Sequence, residues 1–256
     1  MIASGLSLRL GTTQVLGGVS ATFARDRVTA LLGPNGAGKS TLLGCLAGLR
    51  VPDSGAVTLD GAPVLGLYPR DRARRIGFLP QTGEVNWDID VRTLVGLGRF
   101  PHRAPWGETD ADRDAIARAL AATDLTAFAD RRVATLSGGE RARALLARVL
   151  AGEPEWLLAD EPLAHLDPGH ALDTLDRLRA AAAAGAGVIV VLHDLGHAAR
   201  VADDVVMLAG GRVVAEGPAD SVLTASHIAA AYGIDVHLAE LPNGGRVIVP
   251  LTRRPG

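Results

Sequence analysis

The stretch GPNGAGKST, residues 33–41, constrains this chain more than any other. It follows the short apolar run "VTALL" at Val28–Leu32, which predicts a buried strand, and precedes "STLLGCLAGL", which has helical length and few breakers. Strand, glycine-rich loop and helix is the context that the pattern G-x-x-x-x-G-K-[ST] requires. Gly36 and Gly38 let the backbone curl so that successive N–H groups point at phosphate oxygens, within a turn completed by Gly33, Pro34, Asn35 and Ala37. The helix start adds partial positive charge. Lys39 is the single lysine in a chain with 25 arginines. A compact ammonium reaches into a narrow cradle, whereas a planar guanidinium prefers side-on bidentate contacts. Ser40 offers a hydroxyl to Mg²⁺, and Thr41 offers another to phosphate.

The rest of the chain predicts alternating strands and helices, hence an α/β fold on a mostly parallel sheet. "RIGFLPQ", "WLLAD" and "GVIVVLH" are short apolar strands. "SGAVTLDGAPV" and "DVVMLAGGRVVAEG" are hairpins, the first turning at Asp60-Gly61. Residues 91–99 and 109–123 are expected to be helical, the second opening on a capping box of Thr109 and Asp112. The middle, about 86–150, contains only helical segments. At 256 residues the chain makes one well-buried domain, or one with a small appendage. A net charge of -2 gives no basic field for nucleic acid. No apolar run approaches the ~20 residues of a membrane span, and the start "MIASGLSLRLG" does not read as a secretory leader. The lone Cys45, in "LLGCLAG", is expected to be a buried small hydrophobe.

Two further motifs add chemistry. "WLLADEP" puts Asp160 and Glu161 at a strand end, a Mg²⁺-associated carboxylate beside one able to polarise water. "LSGGE" at 136–140 pairs Ser137 and Glu140 as a capping box, while Gly138 and Gly139 expose backbone N–H groups at a second helix start. One triphosphate does not need two such sites in one chain. A dimer resolves this, with the second site of one subunit closing on the γ-phosphate held by the other.

With these motifs in order, the chain resembles the ATP-binding-cassette (ABC) ATPases. It carries the phosphate loop at 33–41, the glutamine loop at Gln81, the signature at 136–140, Walker B at 156–161, the D-loop at Leu166-Asp167 and the switch histidine at His193. The resemblance implies a P-loop NTPase (RecA-like) core with an antiparallel β subdomain and an inserted helical subdomain. The ATPase domain would span 1–220, followed by a short C-terminal extension at 221–256. It further implies ATP and Mg²⁺ as cofactors. Glu161 would be general base, His193 a γ-phosphate contact and Gln81 a sensor of Mg²⁺ and γ-phosphate. Ser40, Gln81 and Asp160 would surround the metal, and Asp167 would lie at the interface of a head-to-tail homodimer. His102, His165, His170, His197, His227 and His237 show no metal-ligand pattern.

Residues 80–102, "PQTGEVNWDIDVRTLVGLGRFPH", and the tail "PADSVLTASHIAAAYGIDVHL" are similar to ATPases importing ferric siderophores, haem and cobalamin. That resemblance implies a peripheral subunit on the cytoplasmic face of the inner membrane, bound to an integral permease and served indirectly by a substrate-binding protein. Phe100, Trp87 and Trp106, rimmed by Arg99 and Arg103, would form the docking groove for the permease. A soluble ABC ATPase, for example in iron–sulfur assembly, or an exporter motor stays open. The sequence departs from the family pattern in two places. Leu10 stands where an aromatic residue usually stacks on adenine, and His165 stands where the D-loop usually has a small residue.

Overall fold

The computed structural model describes residues 1–81, 88–104, 106–240 and 246–254. Along the chain run β1 (Ile2–Leu10), β2 (Thr13–Thr22), β3 (Val28–Leu32), α1 (Lys39–Leu46), β4 (Ser54–Leu59), β5 (Ala62–Pro63), α2 (Pro69–Arg75) and β6 (Ile76–Leu79). Next come α3 (Val91–Gly96), α4 (Asp110–Ala122), α5 (Gly138–Ala151), β7 (Trp156–Asp160), α6 (Pro168–Ala183), β8 (Gly187–Val191) and α7 (Leu195–Val201). The chain closes with β9 (Asp204–Ala209), β10 (Arg212–Pro218), α8 (Ala219–Val222), α9 (Ala225–Tyr232), β11 (Ile234–Glu240) and β12 (Arg246–Arg253).

The central sheet has the order β10-β9-β3-β8-β7-β6. Its five strands β9, β3, β8, β7 and β6 are parallel, and β10 pairs antiparallel at one edge. A separate antiparallel sheet, β2-β1-β4-β5, covers one side. Strand alternation feeds two cores. Val28, Ala30, Leu157, Ala159, Val188 and Val190 face the helices α3 to α9. Leu31, Trp156, Leu158, Ile189 and Val191 face α1 and the antiparallel sheet. Because both faces are covered, β3, β7 and β8 are buried along their whole length, as parallel strands between two layers must be.

Helices α3, α4 and α5 pack on one another, and their inner sides, including Val95, Ile116, Leu120 and Leu146, join the helix-side core. The capping box of Thr109 and Asp112 forms as expected. Asp112 also serves the subdomain's interior. Arg99 is 6% exposed, its Nε donates to Asp112 Oδ1 at 2.9 Å, and its Nη1 donates to Ala151 O and Glu153 Oε2. The Thr109 backbone N–H, followed by Arg99, holds the Asp112 carboxyl down at about 2. Arg99 is therefore an internal staple joining the segment after α3 to the start of α4 and the end of α5. It does not rim an exposed groove, which corrects the expectation from the sequence. The single turn of 3₁₀ helix at Leu97–Arg99 swings its side chain inward, and removing one partner of such a buried pair costs about 3–5 kcal/mol.

Residues after 220 are not peripheral to the packing. Val222, Leu223, Ile228, Ala231 and Ile248 belong to the helix-side core, and β11 pairs with β12 as a terminal hairpin that the sequence reading did not anticipate. Cys45 is buried, and burial pushes its thiol up.

Candidate active site

Sheet order creates the site. Strands β3, β8, β7 and β6 are consecutive neighbours and parallel, so their carboxyl ends lie side by side, about 4.8 Å apart from strand to strand. Those four ends carry the 33–41 loop, His193, Asp160-Glu161 and Gln81, although they come from four distant stretches of sequence. Crevices at the carboxyl ends of parallel strands are where such sheets bind ligands.

The loop leaves β3 at Gly33, whose φ of 144° and a Leu208 carbonyl 2.1 Å from any added Cβ leave room for glycine only. Gly38, at φ 97°, is the N-cap of α1 and makes no side-chain cap. A side chain there would also meet Val15 O at 2.8 Å. Lys39 is buried, and its Nζ donates to Gly33 O at 2.7 Å and Pro34 O at 3.0 Å, inside the curl. Burial lowers its pKa, opposed by the nearby Glu161 and Asp160. Ser40 Oγ donates to Asp160 Oδ1 at 2.8 Å. Burial raises the Asp160 carboxyl, with the Ser40 hydrogen bond working against it. A cleft of about 370 Å³ over this loop is lined by Thr13, Val15, Asn35 to Thr41 and Glu161.

Glu161 closes the cleft. Its backbone sits in the left-handed region at φ 49°, a strained setting for a long side chain, and this turns the carboxylate back between two partners. Gln81 Nε2 donates to Oε2 at 2.6 Å, and His193 Nε2 lies 2.5 Å from Oε1. An amide and an imidazole thus hold a carboxylate beside an anion cradle. Such a carboxylate is placed to accept a proton from water attacking phosphorus.

The 136–140 segment lies outside this cleft: Ser137 and Gly138 are exposed, Gly139 and Glu140 half-buried and Leu136 buried, and none of the five lines it. Its capping box is complete: Ser137 N donates to Glu140 Oε2 at 2.7 Å, and Glu140 N to Ser137 Oγ at 3.2 Å. Gly139 lies against the His170 ring, so an added Cβ would come within 2.9 Å of it. His170 in turn is bound to Asp167, through its own N–H at 3.0 Å and its Nδ1 at 2.5 Å. Residues 137–140 and the start of α6 therefore pack as one unit, exposed at Ser137, Gly138 and Asp167. Asp167 caps α6 within it, and His165 adopts a left-handed φ of 63° in the preceding turn.

Leu10 is 44% exposed at the end of β1 and does not line this cleft, whereas Thr13 and Val15 of the same hairpin do. Neither tyrosine replaces it there: Tyr68 is exposed on the surface, and Tyr232 is held at Gly33 N–H from the C-terminal side. Of the aromatic groove, Phe100 and Trp106 are exposed at 72% and 97%, and Trp87 lies outside the described residues. Phe100, Pro101 and Arg103 line a cavity of about 510 Å³ with Pro69, Arg70 and Ala73. Sequence reasoning missed Arg70, whose guanidinium braces this groove by donating to the carbonyls of Pro101 and Arg103.

Comparison with known proteins agrees with this geometry. The family model described as ABC transporter matches residues 16–164. The hemin import ATP-binding protein HmuV of Nocardia farcinica is 47% identical over 242 residues, covering 93% of this chain and 83% of that protein. The HmuV of Thermobifida fusca is 43% identical, covering 97% and 86%. The cobalamin import ATP-binding protein BtuD of Halobacterium salinarum is 42% identical over 98% of this chain and 63% of its own length. Among solved structures, a transporter described as of metal-chelate type, in an inward-facing conformation, superposes with a TM-score of 0.84 at 25% identity, covering 98% of this chain and 97% of that one. The chain belongs to the ABC transporter family, as an ATP-binding, ATP-hydrolysing member.

Proposed function

We propose that this chain is the peripheral motor of an importer, on the cytoplasmic face of the inner membrane. It works as a head-to-tail homodimer around two ATP molecules and powers uptake of an iron-siderophore, haem or cobalamin class of substrate. The carrying observation is a division within one chain. The cradle with its carboxylate, Gln81–Glu161–His193, is complete on one side, while the second helix start at Ser137–Glu140 faces outward and lines no part of that cleft. Residues 1–220 form the ATPase domain, with the helical subdomain at about 86–150, and 221–256 extend it.

In this reading, Gly33 to Thr41 cradle the phosphates and Lys39 sits between the β and γ groups. Glu161 takes the proton of the attacking water, with Gln81 and His193 fixing its orientation. The donor set fits Mg²⁺: the Ser40 hydroxyl and the Asp160 carboxylate are hard oxygen ligands 2.8 Å apart, and the Gln81 carboxamide is bound to Glu161, the residue that follows Asp160. When bound, that ion neutralises charge on the β- and γ-phosphate oxygens. Across the dimer, Ser137, Gly138, Gly139 and Glu140 close on the partner's γ-phosphate, and Asp167 lies at the shared boundary.

The permease docks on the groove of Phe100, Pro101 and Arg70, which is apolar on its floor and braced by arginine. The named hemin and cobalamin import functions of the relatives support the direction of transport and the substrate class. The test is uptake by the chain reconstituted with its permease and binding protein. We expect ATP-dependent accumulation of one of the three substrate kinds, and Phe100→Asp should abolish co-purification with the permease while solution ATP binding persists. Co-purification of Phe100→Asp at wild-type yield defeats the docking surface, and ATP-driven export defeats the importer reading.

A further inference from the structure

We propose that Tyr232, at the end of α9, is a positioning residue for nucleotide binding: its hydroxyl oxygen accepts the Gly33 N–H and thereby fixes the first peptide of the phosphate loop. The inference rests on the reading of 33–41 as that loop and extends the nucleotide site to a residue 199 positions away, beyond the stretch matched by the family model.

Gly33 is the point where β3 leaves the sheet. Leu32 is the last residue paired with β9, opposite Met207, so the next N–H has lost its place in the ladder while still buried. A buried backbone N–H needs an acceptor, and here it is the Tyr232 hydroxyl at 2.7 Å. The Gly33 carbonyl accepts from Lys39 Nζ, also at 2.7 Å. Tyrosine, glycine and lysine are therefore consecutive links, and the peptide that the phenol holds leads directly into the peptide that meets the ammonium. The loop passes close against β9 at this point, with the Leu208 carbonyl 2.1 Å from where a Cβ on Gly33 would stand.

The phenol is itself well fixed. Gly233 ends α9 in the left-handed conformation at φ 66°, and the Gly233 carbonyl accepts from Arg254 N at the close of the terminal hairpin. Ile228, one turn earlier in α9, is fully buried in the helix-side core with Val205 and Met207. Burial pushes the Tyr232 hydroxyl up to about 12, so it stays a neutral phenol at working pH.

A purely structural role would tether the C-terminal segment and nothing more, so the experiment separates stability from affinity. MgATP and MgADP affinities, turnover and nucleotide-free melting temperature are measured on the full chain for wild type, Tyr232→Phe and Ile228→Val. Tyr232→Phe keeps the ring and removes the acceptor. We expect it to bind both nucleotides about tenfold more weakly, with KM raised and kcat within about twofold of wild type. Ile228→Val loosens the same helix without touching Gly33, and should lower the melting temperature with affinity unchanged. Wild-type affinity in Tyr232→Phe overturns the proposal, as does a loss of affinity in both variants that simply tracks melting temperature. Wild type that fails to bind MgATP any better than Lys39→Ala would instead overturn the phosphate-loop reading beneath it.

Discussion

Among the described residues, the two glycine-rich helix starts at α1 and α5 handle their unpaired N–H groups in opposite ways. At α1 the N-cap is Gly38, without a side-chain cap, and no acidic residue stands in the first turn. Among the described residues no side chain caps these donors, and a lysine lies within the same curl. At α5 Ser137 and Glu140 satisfy one another's backbone N–H groups, and Glu140 sets a negative charge in the first turn. Four N–H groups are orphaned at any helix start. The bare one leaves its donors free for a ligand, whereas the capped one holds its shape unaided and has fewer donors to offer. This difference is what the trans arrangement predicts: the α1 start must hold a nucleotide in the separated subunit, and the α5 start contributes only when a partner brings one to it.

The largest effect falls on the chemistry beside the α1 start. Glu161→Gln keeps shape and both neighbours but loses the base, so turnover should fall by about 10²- to 10⁴-fold with MgATP binding intact. A stable ATP-bound dimer should then accumulate on size-exclusion chromatography, and a monomer alone with MgATP would break the two-subunit picture. Next in size is Lys39→Ala. Hydrogen bonds to charged groups contribute about 1.5–3 kcal/mol, so triphosphate affinity should drop about 10- to 100-fold. Unchanged affinity, measured by nucleotide titration, would mean that the bare helix start binds without its ammonium.

How far this contrast could be read in advance depended on how local its causes are. The phosphate loop, both capping boxes and the strands β3, β7 and β8 are written in contiguous residues, and they appear where the spacing puts them. Arg99 and Phe100 are adjacent, and the sequence predicts an exposed Phe100 rimmed by Arg99. One turn of 3₁₀ helix sends Arg99 inward to Asp112 and Glu153, 13 and 54 residues away, and leaves Phe100 outside. Nothing local in "GLGRFPH" specifies those partners. Tyr232 is a stronger case, because its bond to Gly33 depends on where the tail packs after the whole sheet has formed. The Gln81–Glu161–His193 contact lies between these extremes. Each residue was marked by its motif, but the strand order that brings them together emerges only from the folded sheet.

Leu10 tests the nucleotide side at smaller scale. It is half-exposed at the tip of β1, outside the cleft lined by Thr13 and Val15, and both tyrosines are placed elsewhere. Binding should then rest on the triphosphate and discriminate poorly between ATP and GTP. Leu10→Tyr would supply a ring face, and regaining roughly 1.4 kcal/mol of the ~1–3 kcal/mol that base stacking contributes would tighten ATP up to about tenfold. Tight, ATP-selective binding by wild type with no gain in Leu10→Tyr would show that adenine has another platform.

The smallest effect should come from the capped helix start, and it is the most direct probe of the contrast. Ser137→Ala removes the hydroxyl that accepts Glu140 N–H, which costs about 1 kcal/mol of stability, seen as a modest fall in melting temperature. Since no residue of 136–140 lines the phosphate cleft of its own chain, MgATP affinity of the separated subunit should not change. Turnover should still fall, by about fivefold if the hydroxyl gives one ordinary hydrogen bond, worth about 1 kcal/mol, to the partner's γ-phosphate. Mixing then separates the two starts. A dimer of one Lys39→Ala chain and one Ser137→Ala chain has both defects in one composite site and none in the other. Its turnover per lysine-bearing site should exceed that of the Ser137→Ala pair, and its total turnover should exceed that of the Lys39→Ala pair. No recovery on mixing, or weaker ATP binding by the Ser137→Ala monomer, would mean that both helix starts serve the same nucleotide within one chain.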